Sequence, residues 1–454
     1  MALVCLTQQS GSIGRDMTHD NGRPDDRRDW VLRCGSRYWL GKRELIASLP
    51  MPQKEFGDGP PGNLIRISLP EWAADIAVDG HLLAWSGCTT IDATQVPEWM
   101  CCDWLSACWY MLSGSVERAC EARQGPILSY ALRLPVDIRP LFEKAWVNRI
   151  FLFLRRWAAQ ERGQPEEQLF GHRPRATIEL THDVDAIALT PEIRLKQSTF
   201  HLANAARSAT KGQFAKVASR LGDTARFAFG QWDLRTLERV RKLERAAGLR
   251  SVFHFYGGPA GLARRSLQNL LIDPAYDIGS AYLRNELRAL DEGGWRIGLH
   301  QSFKAWSSAR AMREERQRIE DAAGVLVLHC RQHWLRFSWQ TTWHAQEAAG
   351  LVRDSTLGFN DRPGFRSGHA LCFHPWDFSL GAPMQLQAIP MLFMDSHFYD
   401  YQSLPVGEVS AEMKRWIDEV RAVGGEVSVN WHTHTITNLY DWTRGFEELL
   451  GLLS

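Results

Sequence analysis

The sequence predicts an α/β fold: a parallel sheet or barrel of alternating strands and helices, preceded by a smaller α+β domain. Three observations lead there. From about residue 176 onward, short apolar strands alternate with helical stretches, the pattern of parallel α/β architecture. Ahead of that point the text changes to short strands, turns and two strongly apolar or amphipathic helices. At 454 residues the chain is also too long for one ordinary domain.

Residues 1–30 are expected to lack order, because RPDDRRD (23–29) is a charged run broken by proline. The α+β domain is expected over 31–165. Short strands and turns fill 30 to about 135, with GDGPPGN (57–63) a clear loop. PEWMCCDWLSACWYMLSG (97–114) reads as a core helix ended by glycine, and WVNRIFLFLRRWAAQERG (146–163) as an amphipathic helix leading out. The second domain, 170–454, opens on ATIELTHDVD (176–185), which alternates as a strand does, and carries a helical insertion at about 191–247. Strands follow at SVFHFYG (251–257), WRIGLHQSF (295–303), VLVLHCRQHW (325–334), LVRDSTLGF (351–359), LQAIPMLFMD (386–395) and GEVSVNWHTH (425–434). Helices separate them at 284–294, 313–324, about 340–349 and 407–423.

Composition narrows the function classes. A hydrophobic fraction of 44% with 23% charged residues is that of a globular protein with a real core. A net charge of +1 gives no global field for nucleic acid. The first 17 residues lack a basic region and a long apolar run, and no stretch approaches a membrane span of roughly 18 apolar residues. Nine cysteines, with no CxxC pair, argue against a disulfide framework or zinc ribbon. A reducing, cytoplasmic location is the expectation. The 19 tryptophans suit a core first and sugar stacking second.

The chemistry gathers at one end of the strands. Asp183 and Asp185 end the first, and residues i and i+2 share a face. Two carboxylates that close suit a site where one holds a metal and the other takes a proton from water, although a strand end capping the next helix is the other reading. His300, Arg331, His333, Asp354, His432 and His434 lie at the corresponding ends of later strands. Loops at that end of parallel folds converge, and several strands each delivering a ligand-type residue there are hard to explain as packing.

Taken in order, THDVD, GLHQSF, RQHWLRF, DSTLGF and NWH resemble a divergent branch of the NodB-homology polysaccharide deacetylases, carbohydrate esterase family 4. The branch is the bacterial one linked to surface-polysaccharide and O-antigen synthesis. The resemblance covers about 175–445, and 103–148 with SGSVE resembles the domain that precedes the barrel in that branch. It implies a distorted (β/α)7 barrel and metal-dependent removal of an acetyl group from a sugar. Carried over, Asp183 matches the catalytic base, Asp185 the metal-binding aspartate, and His300 the first histidine of an HxxxH motif. The second histidine of that motif is replaced by Lys304. His333, on a strand face with Arg331, is the candidate for the missing ligand. Arg331 matches the arginine that orients the base, His432 the general acid, and His434 stands in reserve.

Chemically, a divalent metal on Asp185, His300 and His333 activates water, and zinc suits such an N2O set best. Asp183 accepts the proton, Arg331 keeps it ionised, and protonated His432 serves the leaving group. His182 faces away and reads as structural, as does Cys330; Asp354 and Asp395 read as hydrogen-bonding supports or helix caps. Trp334, Trp376 and Trp431 are candidates for a sugar platform or for core. Arg194, Lys196, Arg207, Lys211, Lys216 and Arg220 form a basic stretch without acids, either a solvated face or a peripheral contact with anionic lipid.

The expected partner is thus a carbohydrate, with linkage to lipid or nucleotide as an option, with no nucleic acid and an oligomeric state left open. Two other functions compete with the hydrolase. One is a non-catalytic glycan-binding barrel that lost its metal with the second histidine. The other is a glycosyltransferase using DxD, which leaves the histidines unexplained and lacks a phosphate loop.

Overall fold

The computed structural model describes residues 24–90, 96–210, 212, 214–230, 233–259, 272–437, 440 and 442–454. Of the N-terminal run expected to lack order, 1–23 lies outside the described residues. The remainder corrects the expectation, because a helix spans Pro24–Cys34. Its Trp30 is buried against Trp109 and Trp376, and Arg28 pairs with the buried Asp103 carboxylate. Arg27, Arg28 and Asp29 of the run are each paired with a charge from elsewhere in the chain.

Up to Gln124, the described residues form one antiparallel hairpin, β1 (Leu64–Ser68) with β2 (His81–Trp85), and helices for the rest of the regular structure. The expected meander of short strands is therefore mostly helical. The apolar stretch at 97–114 is broken into a 3-10 turn, Glu98–Cys101, and a helix, Trp104–Leu112. Asp103 makes the break: its carboxylate accepts from the Ser106 backbone N–H and so starts a new helix. The amphipathic helix Trp146–Glu161 then leads towards the barrel.

The barrel strands are β3 (Thr177–Val184), β4 (Val252–Tyr256), β5 (Arg296–Gln301), β6 (His329–Gln332) and β7 (Arg353–Asp354). A small hairpin, β8 (Trp376–Asp377) with β9 (Ala382–Pro383), precedes β10 (Gln387–Ala388), β11 (Met391–Met394) and β12 (Glu426–Asn430). The parallel sheet runs β10-β7-β6-β5-β4-β3-β12-β11. Its two edge strands are consecutive in the chain, separated only by Ile389 and Pro390. The sheet must curl until one chain segment bridges both edges, so eight strands make seven staves of a distorted β/α barrel. Pro390 has no N–H to donate, which suits the step between the two half-staves.

Parallel register sets the lumen. Asp183 pairs across to His254 and His254 to Gly298; two residues further along, Tyr256 pairs to His300 and His300 to Arg331, so two successive rows bring polar groups to the lumen. Gly298 is needed there, since a Cβ would lie 2.6 Å from the His254 ring. A single hydrophobic core continues from Trp30 through the barrel to Leu450. Ion pairs cross between the two halves as well, notably Arg366 with Glu117 and Arg149 with Glu419. The insertion is two helices packed on each other, Pro191–Thr210 and Phe214–Phe229, followed by Leu237–Ala246. No helix among the described residues is long and apolar enough to cross a membrane.

Candidate metal centre

Strand β3 delivers Asp183 at its end and Asp185 just beyond it. His300 comes from β5. His333 does not lie on a strand, contrary to expectation: β6 ends at Gln332 and His333 opens a tight turn in which Trp334 has φ 57°. The turn still carries the imidazole to the barrel axis. Lys304, at the position of the lost histidine, is exposed to solvent.

Asp185, His300 and His333 converge, with one ligand atom of each within 4.8 Å of the others. Asp185 Oδ1 lies 3.3 Å from His300 Nε2 and 3.7 Å from His333 Nε2. Ligands bound to zinc at about 2.0–2.1 Å in a tetrahedron stand about 3.3–3.4 Å apart, so the three need only small shifts. The tautomers suit a cation too. His300 Nδ1 lies 3.0 Å from the Arg331 carbonyl oxygen, which can only accept, so this nitrogen carries a proton and Nε2 is the nitrogen turned to Asp185. His333 Nδ1 lies 3.1 Å from the buried Asp273 carboxylate, with the same consequence. Among the described residues, Asp185 Oδ1 is buried without a well-formed hydrogen bond, with His300 Nε2 at 3.3 Å and His333 Nε2 at 3.7 Å. A buried carboxylate oxygen facing two imidazole nitrogens is an environment a divalent cation satisfies.

Asp183 is held apart from this set. Arg331 Nη1 donates to its Oδ1 at 3.3 Å and Asn430 Nδ2 to its Oδ2 at 3.1 Å, while His254 Nδ1 lies 3.4 Å away. Burial opposes its ionisation, but Arg331, His300 and His254 override it and hold the carboxyl well below the usual range. The buried Arg331 also donates to Thr181 Oγ1, Ser428 Oγ and the Ser355 carbonyl.

On the opposite side, His432 follows β12, with Nδ1 2.6 Å from Asp395 Oδ1 and Nε2 3.8 Å from Asp185 Oδ2. Asp395 also accepts from the His432 backbone N–H and Thr435 Oγ1, so it fixes the ring twice over. Burial disfavours the imidazolium, yet Asp395 and Asp185 prevail and push its pKa up to about 10. A group raised in the folded state stabilises it below the unfolded pKa of about 6.5 and loses that contribution as pH climbs through the folded value. In metal-free protein, therefore, the urea midpoint is expected to fall between pH 6.5 and about 10, and Asp395→Asn to flatten that slope. An equally steep slope in the variant would refute the pairing.

No protein-family model matches the chain, and no curated protein does. Solved structures do match. One is a protein assigned as a polysaccharide deacetylase from Mycobacterium smegmatis, 15% identical over 61% of this chain and 83% of that one, with a TM-score of 0.35. A family 4 carbohydrate esterase from Streptomyces lividans, in complex with acetate, is 12% identical over 61% and 88%, with a TM-score of 0.28. A family 4 pseudoenzyme from Bacillus anthracis is 9% identical over 61% and 62%, with a TM-score of 0.27.

Other expected residues are distributed differently. His182 is structural, bonded to Glu244 and the Trp431 carbonyl. Asp354 accepts from Trp343 and Gln346 beneath the sheet, away from the cluster. Of the three tryptophans, Trp334 lines the cavity, whereas Trp376 and Trp431 are buried in the core. His434 lines the cavity in ring contact with His432. In the basic stretch, Arg194 donates to carbonyls at the end of the second insertion helix and Arg220 pairs with Asp400, so both face protein. Lys211 lies outside the described residues.

Sequence reading passed over Asp273, His254 and Asn430. His254 carried a signal, being polar within the apolar strand VFHFY. Asn430 sits two residues before His432 and so shares its face. Asp273 gave none, because a loop aspartate before proline reads as a turn.

Proposed function

We propose that this protein is a metal-dependent hydrolase that removes an acyl group from a sugar, acting in surface-polysaccharide synthesis. The observation that carries the reading is the convergence of Asp185, His300 and His333, with both imidazoles anchored through Nδ1 and turning Nε2 to the buried Asp185 Oδ1. The order of motifs along the sequence supports the carbohydrate class and the surface-glycan role. Asp183 is engaged by Arg331 and Asn430, which argues against both carboxylates sharing one cation as a DxD transferase requires.

A divalent cation held by Asp185, His300 and His333 supplies Lewis acidity to the acyl carbonyl and the attacking water. The residues do the rest. Asp183, ionised throughout the working range, accepts the proton from water as oxygen adds to the carbonyl carbon. Arg331 and Asn430 aim that carboxylate. His432, protonated and oriented by Asp395, donates its proton to the departing amine or alkoxide. Asp273 fixes the His333 ring without touching substrate.

The test is metal content together with acid release. Full-length protein given zinc is expected to retain about one ion per chain and to liberate carboxylic acid from N- or O-acylated sugars. A chain that takes up no first-row metal would sink the mechanism. Asp273→Asn is expected to weaken metal binding about 10- to 100-fold, read by competition with a chelating dye. Unchanged affinity would make Asp273 a bystander.

A further inference from the structure

The cavity beside this cluster has about 540 Å³. Outside the cluster, the walls are largely apolar. Leu195, Phe200 and Ala203 come from the insertion helix Pro191–Thr210. Leu335 and Met394 come from the barrel side, where with Met391 they form an apolar cluster separate from the main core.

Several polar side chains of the same walls are already engaged. Asn360 Nδ2 donates to the carbonyls of Leu128 and Trp334, at 3.1 and 2.6 Å. Asp400 pairs with Arg220, and Thr435 Oγ1 donates to Asp395 and the His432 carbonyl. Gln197, Thr199, Ser396, His434 and Tyr440 remain among the lining residues to meet a sugar. A polysaccharide groove needs hydrogen-bonding groups for many hydroxyls, whereas an aliphatic chain needs only apolar wall. Leu195 lines the cavity yet is 58% exposed, which extends the apolar surface to the rim.

We infer that the acyl group this site accepts is an aliphatic chain longer than acetyl, seated between the insertion helix and the Leu335–Met394 wall. The inference rests on the hydrolase reading for the fate of the chain, not for its binding. In the reaction, water adds across the acyl bond. The C–N or C–O bond breaks, a C–O bond to water oxygen forms, and the products are a fatty carboxylic acid and the amine or hydroxyl of the sugar. No further reactant is needed.

The probes are N-octanoylglucosamine and N-acetylglucosamine, with binding to the full-length chain read by equilibrium dialysis and free glucosamine measured in the same samples. Octanoyl is expected to bind about tenfold tighter or more, because six further methylenes leave water. Ala203→Trp, an exposed position on the insertion helix, is expected to reduce that octanoyl-to-acetyl ratio about tenfold by filling the wall. Leu326→Trp, exposed elsewhere, is expected to leave the ratio alone. Equal or tighter binding of the acetyl sugar, or a ratio insensitive to Ala203→Trp, would overturn the inference. Free glucosamine from the acetyl probe alone, without octanoyl binding, would overturn it while the hydrolase reading stands. Tight octanoyl binding that Ala203→Trp reduces, with no release from either probe, would support the inference while the hydrolase reading falls.

Discussion

Alanine at either His300 or His333 is expected to strip the protein of its metal and lower kcat/KM roughly a thousandfold or more. The magnitude follows from the several kcal/mol a Lewis acid contributes, at about 1.4 kcal/mol per factor of ten. The two variants should behave alike, because both imidazoles present Nε2 to the same oxygen, at 3.3 and 3.7 Å. Fold is checked by circular dichroism, and metal by elemental analysis after dialysis. Lys304→His is expected to rescue neither variant, since position 304 is exposed to solvent rather than turned to the cluster. Metal retained by His333→Ala would redirect the third ligand to His432, whose Nε2 stands 3.8 Å from Asp185 Oδ2.

Arg331→Met is expected to cost about 3–5 kcal/mol of stability at neutral pH, because it leaves the Asp183 carboxylate buried without its main countercharge. The pH dependence gives the sign. In the parent protein the Asp183 pKa is depressed, so its contribution is present above the unfolded value of about 3.9 and is lost only in strong acid. Without Arg331, burial raises the folded pKa, and the variant suffers least where the carboxyl is protonated. The stability deficit should therefore be largest near pH 7 and shrink as pH falls towards 4, measured by urea unfolding at each pH. A deficit independent of pH would mean that Arg331 matters only through its bonds to Thr181, Ser428 and Ser355.

Much of the centre was legible in one dimension because strands translate sequence spacing into direction. Asp183, Asp185, His300 and His432 sit at or just past the ends of apolar strands, and parallel strands bring such ends together. His333 reaches the cluster by a different route from the one its spacing suggested. It was read on a strand face with Arg331, whereas β6 stops at Gln332 and the turn at Trp334 aims the ring. The charged run at 23–29 misled for a related reason: Arg28 looks solvated until Asp103, 75 residues later, is placed beside it.

By itself, then, the sequence determined the chemical inventory of this protein and the alternating order of its elements, because periodicity and residue type are local properties. Tertiary structure decided how the inventory is wired. It set Asp273 on His333 and Asp395 on His432, across 60 and 37 residues. It closed the barrel through the two-residue step between β10 and β11, and it faced the insertion helix with the Leu335–Met394 wall. Each of these is a contact between segments whose separation no local pattern records, and burial of both partners is what selects it.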